Sequence, residues 1–232
     1  MNSPRYSAAK PFAPWNVVVA LIFALILVHL LLMLAGGLPG SLWYYENFGL
    51  SLGGLADGKA WQPFSYALLH GDWFHLGINL LLLSFAGAKV MQILGQQSCA
   101  AIMILGVLVG GLMHLITEMF LVLGGHDTSH LIGISGACFA LLFTMLTLSP
   151  TTRLRFVPVS GKNLGLGIVL GEAILWLINP SLGVPGFSAI GGLVSACGGA
   201  ALFGISHACH LGGAFVGWWF ARRIMAPVAT AG

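Results

Sequence analysis

The sequence contains very little charge. Of its 232 residues, 6% are Asp, Glu, Lys or Arg and 58% are hydrophobic, which gives a mean hydropathy of +0.95. Soluble domains carry roughly 25% charged residues, so this chain cannot build a water-facing surface. A net charge of +3 also supplies no basic face for nucleic acid. The composition excludes a soluble enzyme, a disordered chain and a nucleic-acid-binding protein. It indicates a polytopic protein of the lipid bilayer.

Metal-binding patterns are also lacking. The four cysteines show neither metal-ligand spacing nor a disulfide framework. No His-Glu-x-x-His stretch is present, which excludes zinc-dependent proteolysis of that type. We therefore expect no metal or other cofactor. Glycine, in contrast, is abundant, with 33 residues. This is about twice the usual frequency of roughly 7%, and it predicts helices that approach one another closely in lipid.

Six apolar runs predict an all-α fold, a six-transmembrane-helix bundle. A helix needs about 20 mostly apolar residues to cross the bilayer. The runs cover residues 17–35, 74–94, 101–123, 133–148, 164–178 and 200–224. The first run exceeds the hydrophobic region of a signal peptide and is followed by further spans, so we interpret it as a retained helix. The predicted organisation is a membrane domain over 17–224, a short N-terminal segment over 1–16 and a C-terminal tail over 225–232.

The basic residues orient these spans. If the N-terminus is cytoplasmic, Lys59 is the one basic residue outside. The inner segments then hold Arg5, Lys10, Lys89, Arg153, Arg155, Lys162, Arg222 and Arg223. This positive-inside bias predicts an integral membrane protein with both termini in the cytoplasm. The outer connections are then 36–73, 124–132 and 179–199.

Histidine is the most frequent titratable residue near the predicted membrane. For His29, His114 and His207 we favour a structural role, in which each hydrogen-bonds to a neighbouring helix. His75 and Asn79 differ because they are four residues apart and project from one face of the second span. Both can present N–H donors to a shared point. A polar clasp between helices is the alternative interpretation of this pair.

The fourth span begins with Gly133-Ile134-Ser135-Gly136, where small neighbours leave the serine accessible. Close helix packing is the alternative explanation of these glycines. In the last span, His210, Gly213 and Gly217 share one face, which a neighbouring helix can approach closely. The helix that begins near Ser135 is the candidate neighbour.

These residue types are those that acyl transfer requires. Ser135 would attack, and His210 would act as general base and then as general acid. The backbone N–H of Ser135 and the side chains of Asn79 and His75 would bind the oxyanion. Spacing links no carboxylate to His210, so we expect a dyad rather than a triad.

Two carboxylates lie within the predicted spans, Glu118 and Glu172. Neither has an evident partner histidine in the sequence beyond His114, four residues before Glu118. On the outer side, Asp72 and Asp127 are not linked to His210 by any spacing.

Several motifs in order resemble the rhomboid family of intramembrane serine proteases, over essentially the whole six-helix core. The motifs are His70-(four residues)-His75-(three residues)-Asn79, then Gly87 and Gly95 in the same span, Gly133-x-Ser135-Gly136, and His210-x-x-Gly213-x-x-x-Gly217. The resemblance implies a rhomboid-like bundle with a Ser135–His210 dyad and an oxyanion site at His75 and Asn79. It implies a supporting role for His70. The implied substrates are single-pass membrane proteins whose helices contain helix-breaking small residues.

Three positions depart from the family pattern. Gln62 follows Trp61 where an arginine is common, Met91 replaces a frequent glutamate of the second span, and Phe139 replaces a tyrosine that stacks on the histidine. Ring stacking can survive the loss of the hydroxyl. None of these changes affects the nucleophile, the base or the oxyanion donors, so we expect an active serine endopeptidase.

Two alternatives remain at this point. One is a rhomboid-like pseudoprotease that binds membrane clients without cutting them. The other is a membrane transporter or metal-handling protein that uses the outer histidines, such as His126 and His130. We further expect a bacterial cytoplasmic membrane location, substrate access past the fifth span, and gating by the outer loop 181–199. The sequence predicts no particular oligomer.

Overall fold

The computed structural model describes residues 16–125, 129–151, 153–154 and 157–226. The predicted segment 1–16, apart from Asn16, and the residues His126, Asp127 and Arg155 lie outside this description. The main helices are α1 (Val17–Leu34), α2 (Gly37–Phe48), α3 (Leu52–Ala56), α4 (Gln62–Ser65), α5 (Trp73–Leu82), α6 (Ala88–Leu123), α7 (Ser135–Leu148), α8 (Gly161–Leu177), α9 (Phe187–Val194) and α10 (His207–Met225). Short 3₁₀ turns cover Tyr66–Leu68 and Pro180–Leu182, and a small antiparallel hairpin pairs β1 (Arg153–Leu154) with β2 (Val157–Ser160).

A single continuous helical stretch contains the second and third predicted spans. A π-helical turn, Leu83–Gly87, joins α5 to α6, and Gly95 interrupts α6 with φ +82° and ψ 170°. L-residues with side chains avoid this backbone conformation, so glycine fixes the position of the break. The stretch Trp73–Leu123 is therefore two membrane crossings in length, separated where the sequence predicts a connection. The chain is an all-α membrane bundle.

The predictions for the sixth span and for the last outer loop are partly wrong. The sixth helix begins at His207, not Ala200, because a 3₁₀ turn (Ala200–Gly204) and non-helical Ile205 and Ser206 precede it. The predicted loop is largely helical. The segment Phe187–Gly204, which includes the end of this loop, is apolar and long enough to cross a membrane, as are Val17–Leu34 and Trp73–Leu123. Gly198, with φ +95°, bends this segment. The segment is apolar throughout, so its hydropathy does not indicate where the helix is interrupted.

Helix α7 lies at the centre of the bundle. Eleven of its fourteen residues are buried, and it packs against α6, α8 and α10. A helix that is apolar on all sides is typical of such a central position. Large apolar side chains cover the outside instead, including Phe23 and Leu34 on α1, which are 60% and 84% exposed. This arrangement suits hydrocarbon as the solvent.

Glycine allows the backbones of α7 and α10 to come into contact. A Cβ atom added at Gly213 would collide with the carbonyl oxygen of Gly136, and one at Gly217 would collide with that of Ala140. On the other side of α7, a Cβ at Gly106 would lie 2.8 Å from the same Gly136 oxygen. These positions therefore exclude every larger residue at the present helix separation.

The first outer connection is anchored without the missing arginine. Gln62 is fully buried; its Oε1 accepts from the Ser51 N–H at 3.3 Å and its Nε2 donates to the Glu46 carbonyl at 3.2 Å. The carboxylate of Glu118 accepts from the Leu52 N–H at 2.9 Å, which ties α3 to α6. Met91 is partly buried against the apolar core, where the family often has glutamate. Hydrogen bonds made by the Gln62 amide and accepted by the Glu118 carboxylate thus hold this connection in place.

Replacing Gly217 by alanine tests the backbone contact. We expect Gly217→Ala to destabilise the bundle by about 1–3 kcal/mol, because the added methyl group forces α7 and α10 apart. The matched control is Gly167→Ala on α8, where an added Cβ meets nothing within 4 Å. Alanine is favoured over glycine in a helix, so this control is expected to keep or raise stability. Thermal unfolding in detergent measures both, and equal melting temperatures would contradict the packing argument.

Candidate active site

Ser135 is the first residue of α7 and is 8% exposed. The segment before it is held by the first outer connection: Leu131 pairs with Leu50 in an antiparallel bridge, and the Gly133 N–H donates to the Tyr66 carbonyl at 2.9 Å. The first N–H groups of a helix have no partner within the helix, and they carry the positive end of its dipole. The candidate nucleophile therefore lies beside backbone donors that suit a negatively charged group.

Gly133 turns the chain into α7 and makes room for the predicted oxyanion residues. Its φ is +107°, and an added Cβ would lie 2.7 Å from His75 Nε2 and 3.7 Å from Asn79 Nδ2. The side chains of His75 and Asn79 thus approach the same backbone, two residues before Ser135. Asn79 is 2% exposed, and its Nδ2 has no hydrogen-bond partner among the described residues. An unused buried donor near Gly133, two residues before the candidate nucleophile, is a feature that an oxyanion site requires.

His210 projects from the first turns of α10 toward α7. Its ring stacks on Phe139, with centroids 4.1 Å apart and planes inclined by 12°. Phe139 lies four residues after Ser135 and therefore on the same face of α7. Phe139 therefore stacks on His210 as expected, although it stands where the family has tyrosine. No hydrogen bond joins Ser135 to His210 within the described part of the chain. Such bonds are often long before a substrate binds.

Glu172 makes the contacts in this site that the sequence does not predict. Its Oε2 accepts from His210 Nδ1 at 3.1 Å and lies 2.6 Å from His207 Nδ1, although Glu172 comes from α8 and the histidines from α10. The expectation that no carboxylate orients His210 is therefore wrong. A signal was available, because an intramembrane carboxylate needs a partner, and His207 and His210 share one helix face.

His207 does more than the expected backbone contact. Its Nε2 donates to the Leu202 carbonyl at 2.9 Å, which lies in the turn before α10 rather than in a neighbouring helix as predicted, while its Nδ1 lies against Glu172 on α8. Of the other two histidines given structural roles, His114 has such a contact, with its Nδ1 3.1 Å from Ser206 Oγ. His29 lies edge-on to Trp73 at 4.5 Å, but neither of its ring nitrogens has a hydrogen-bond partner among the described residues, so the hydrogen bond predicted for it is not found.

His70 lies just outside the membrane helices and next to His75. It is fully buried, and the two rings meet edge to face with centroids 5.0 Å apart. Burial, the largest cause, lowers the pKa of His70 to about 3, and neighbouring His75 acts in the same direction. His70 is therefore neutral at physiological pH. Its place beside His75, rather than beside Ser135, fits a supporting role.

The comparison with known proteins identifies the family of this chain. Residues 57–227, most of the chain, match the family model described as Rhomboid domain. The chain belongs to the rhomboid family. It is similar to RHOMBOID-like protein 12, mitochondrial, of Arabidopsis thaliana, with 26% identity over 164 residues. That match covers 65% of this chain and 48% of the plant protein, so the chain spans about half the length of this rhomboid relative.

Gly133 provides a direct test of the local geometry. We expect Gly133→Ala to loosen residues 129–138, because alanine is strained at this φ and its methyl group displaces His75. A strained non-glycine residue of this kind costs of order 1–3 kcal/mol. Hydrogen–deuterium exchange of this segment is expected to accelerate. Gly77→Ala on α5, where an added Cβ meets nothing within 4 Å, is the control. Unchanged exchange in Gly133→Ala would refute the assignment of strain.

Proposed function

We propose that this rhomboid protein is an intramembrane serine endopeptidase. The observation that supports it most is the position of His210, held between the Phe139 ring and the Glu172 carboxylate, beside the helix that Ser135 begins. With Nδ1 directed to Glu172, the other ring nitrogen, Nε2, is the one left to act on the serine. A serine becomes a competent nucleophile when a neutral imidazole can take its proton.

The proposed reaction uses the residues around the head of α7. His210 takes the Ser135 proton while Ser135 Oγ bonds to the substrate carbonyl carbon. His210 then gives the proton to the leaving amine, and water later releases the acyl group by the same route. The Ser135 N–H, Asn79 Nδ2 and the His75 ring are the proposed oxyanion donors. A single such donor is worth roughly 2.7–4 kcal/mol of transition-state stabilisation.

The proposed substrates are single-pass membrane proteins. An intact helix keeps its carbonyl groups bonded, so small helix-breaking residues would lower the energy needed to expose the scissile bond. The segment Phe187–Gly204 is the proposed gate. Gly191 is its only buried residue in the described structure, and the segment is therefore more weakly packed than the helices beside it. The Glu172 contacts hold α8 against α10. Substrate entry through movement of Phe187–Gly204 therefore disturbs the site less than entry through displacement of α8.

Location and orientation are part of the same proposal. The bias of basic residues toward one side supports cytoplasmic termini and an outward-facing site. We propose a bacterial cytoplasmic membrane, where this orientation rule applies directly. The similar plant protein is described as mitochondrial, and that location belongs to the plant protein.

Reconstitution into lipid vesicles with a single-pass helical peptide tests the function. We expect cleavage by the unaltered protein and none above background by Ser135→Ala or His210→Ala. Asn79→Ala is expected to lose about 10²–10³-fold in kcat, the usual effect of removing one oxyanion donor, while retaining measurable cleavage because other donors remain. Mass spectrometry of the products measures the rates. Cleavage by Ser135→Ala at the rate of the unaltered protein would show that the dyad assignment is wrong.

The same assay separates the alternatives. A pseudoprotease would bind the peptide and leave it uncut. Its serine would also stay unlabelled by a fluorophosphonate, a reagent that modifies activated serines. A metal-dependent reaction would stop when a chelator is added. For the proposed serine endopeptidase we expect labelling of Ser135 and full activity in the chelator.

A further inference from the structure

The contact between α8 and α10 extends the proposed mechanism, on which this inference rests. We propose that Glu172 is a positioning residue for His210, which makes the catalytic centre a Ser135–His210–Glu172 triad, and that His207 fixes the carboxylate of Glu172. This differs from the dyad that the family resemblance implies. It gives a role in catalysis to Glu172 and His207, two intramembrane residues that lie outside the motifs shared with the family.

One carboxylate oxygen is shared by two histidines. Glu172 Oε2 is 3.1 Å from His210 Nδ1 and 2.6 Å from His207 Nδ1. The three side chains are 17%, 12% and 3% exposed, respectively. Hydrogen bonds to a charged group are stronger than neutral ones, and low exposure to water strengthens them further. The geometry therefore restricts both the rotation and the tautomer of His210.

The tautomer follows from the partners. An ionised carboxylate only accepts hydrogen bonds, so His210 carries its proton on Nδ1 and leaves Nε2 unprotonated. This is the tautomer that can take the proton of Ser135. Without an acceptor at Nδ1, a neutral imidazole can place its proton on Nε2 instead, and that form cannot act as the base.

His207 completes the arrangement from the other side. Its Nε2 faces the Leu202 carbonyl, which only accepts, so that nitrogen carries a proton. Its Nδ1 also donates a proton to the ionised Glu172 carboxylate at 2.6 Å, so both ring nitrogens of His207 are protonated and it pairs with that charge. His207 thus ties the carboxylate to the backbone just before α10. Glu172 itself is held on two sides and cannot rotate away from His210 without losing both contacts.

A metal site is the competing interpretation of the same residues, because Glu172, His207 and His210 could together ligate an ion. The distances argue against it. Ligand atoms around tetrahedral zinc, at 2.0–2.2 Å from the ion, lie about 3.3 Å from one another. Here the contacts from Glu172 are 2.6 and 3.1 Å, which are hydrogen-bond lengths.

During the proposed reaction Glu172 remains ionised. The Oγ–carbon bond forms as the Oγ–H proton moves to His210 Nε2, and the imidazolium that results is stabilised by the carboxylate at Nδ1. The carbon–nitrogen bond of the substrate then breaks as the same proton moves to the leaving amine. Every proton passes through His210, and Glu172 acts on position and charge alone.

The variant Glu172→Gln keeps the shape of the side chain and removes its charge. We expect kcat for a synthetic single-pass transmembrane peptide to fall by about 10²–10⁴-fold, as when the carboxylate of a serine-protease triad is neutralised. KM is expected to change by less than about threefold, because Glu172 does not contact the substrate. The rate of Ser135 labelling by a fluorophosphonate is expected to fall in parallel. Glu172→Asp retains the charge and is expected to react faster than Glu172→Gln.

The matched control is Glu46→Gln, the same substitution on an exposed outer-loop glutamate, for which unchanged rates are expected. Rates refer to the folded monodisperse fraction, with a chelator present throughout. Labelling of Glu172→Gln as fast as that of the unaltered protein, or a Glu172→Asp variant no faster than Glu172→Gln, overturns the triad. If the unaltered protein itself neither labels nor cleaves, the proposed function has failed, which is a different result from the loss of the triad alone. Restored activity of either Glu172 variant in the absence of chelator would favour the metal site and overturn the proposal.

Discussion

The close approach of α7 and α10 is the constraint on which the rest of the site depends. In a bilayer, helices gain no hydrophobic free energy by meeting each other, because lipid tails are as apolar as their side chains. Association then rests on van der Waals contact and polar interactions. Gly136, Gly213 and Gly217 let the two backbones touch, and this contact sets His210 beside the helix that Ser135 begins.

The local parts of this site could be predicted because helical periodicity fixes them. His75 and Asn79 lie on one face through their four-residue spacing, and both approach Gly133 in the structure. Ser135 begins a buried helix, as the apolar run that follows it predicts. Hydropathy also located helices in all six predicted spans, since the bilayer demands continuous apolar segments. Each of these inferences uses information contained within about one helical turn or one span.

What could not be predicted depends on contacts between distant segments. Glu172 meets His210 across 38 positions of sequence, and no periodicity relates α8 to α10. Gln62 anchors the first outer connection through hydrogen bonds with the Glu46 carbonyl and the Ser51 N–H, where the family pattern commonly has arginine. The start of α10 was displaced for a different reason. Ala200–Gly204 is apolar but adopts a 3₁₀ turn, and hydropathy does not distinguish that turn from a continuous helix.

The energetic cost of Glu172 bears on why this residue is present. A carboxylate in a membrane helix is unfavourable unless it is paired, and breaking such a pair leaves an unsatisfied charge. Replacing the whole polar cluster by apolar groups of similar shape is often neutral or stabilising. Stability alone therefore does not account for Glu172 and His207. In the proposed mechanism, the carboxylate provides what an apolar residue cannot, a fixed proton position on the His210 ring. The proposed chemistry, rather than stability, accounts for this polar cluster in an otherwise apolar bundle.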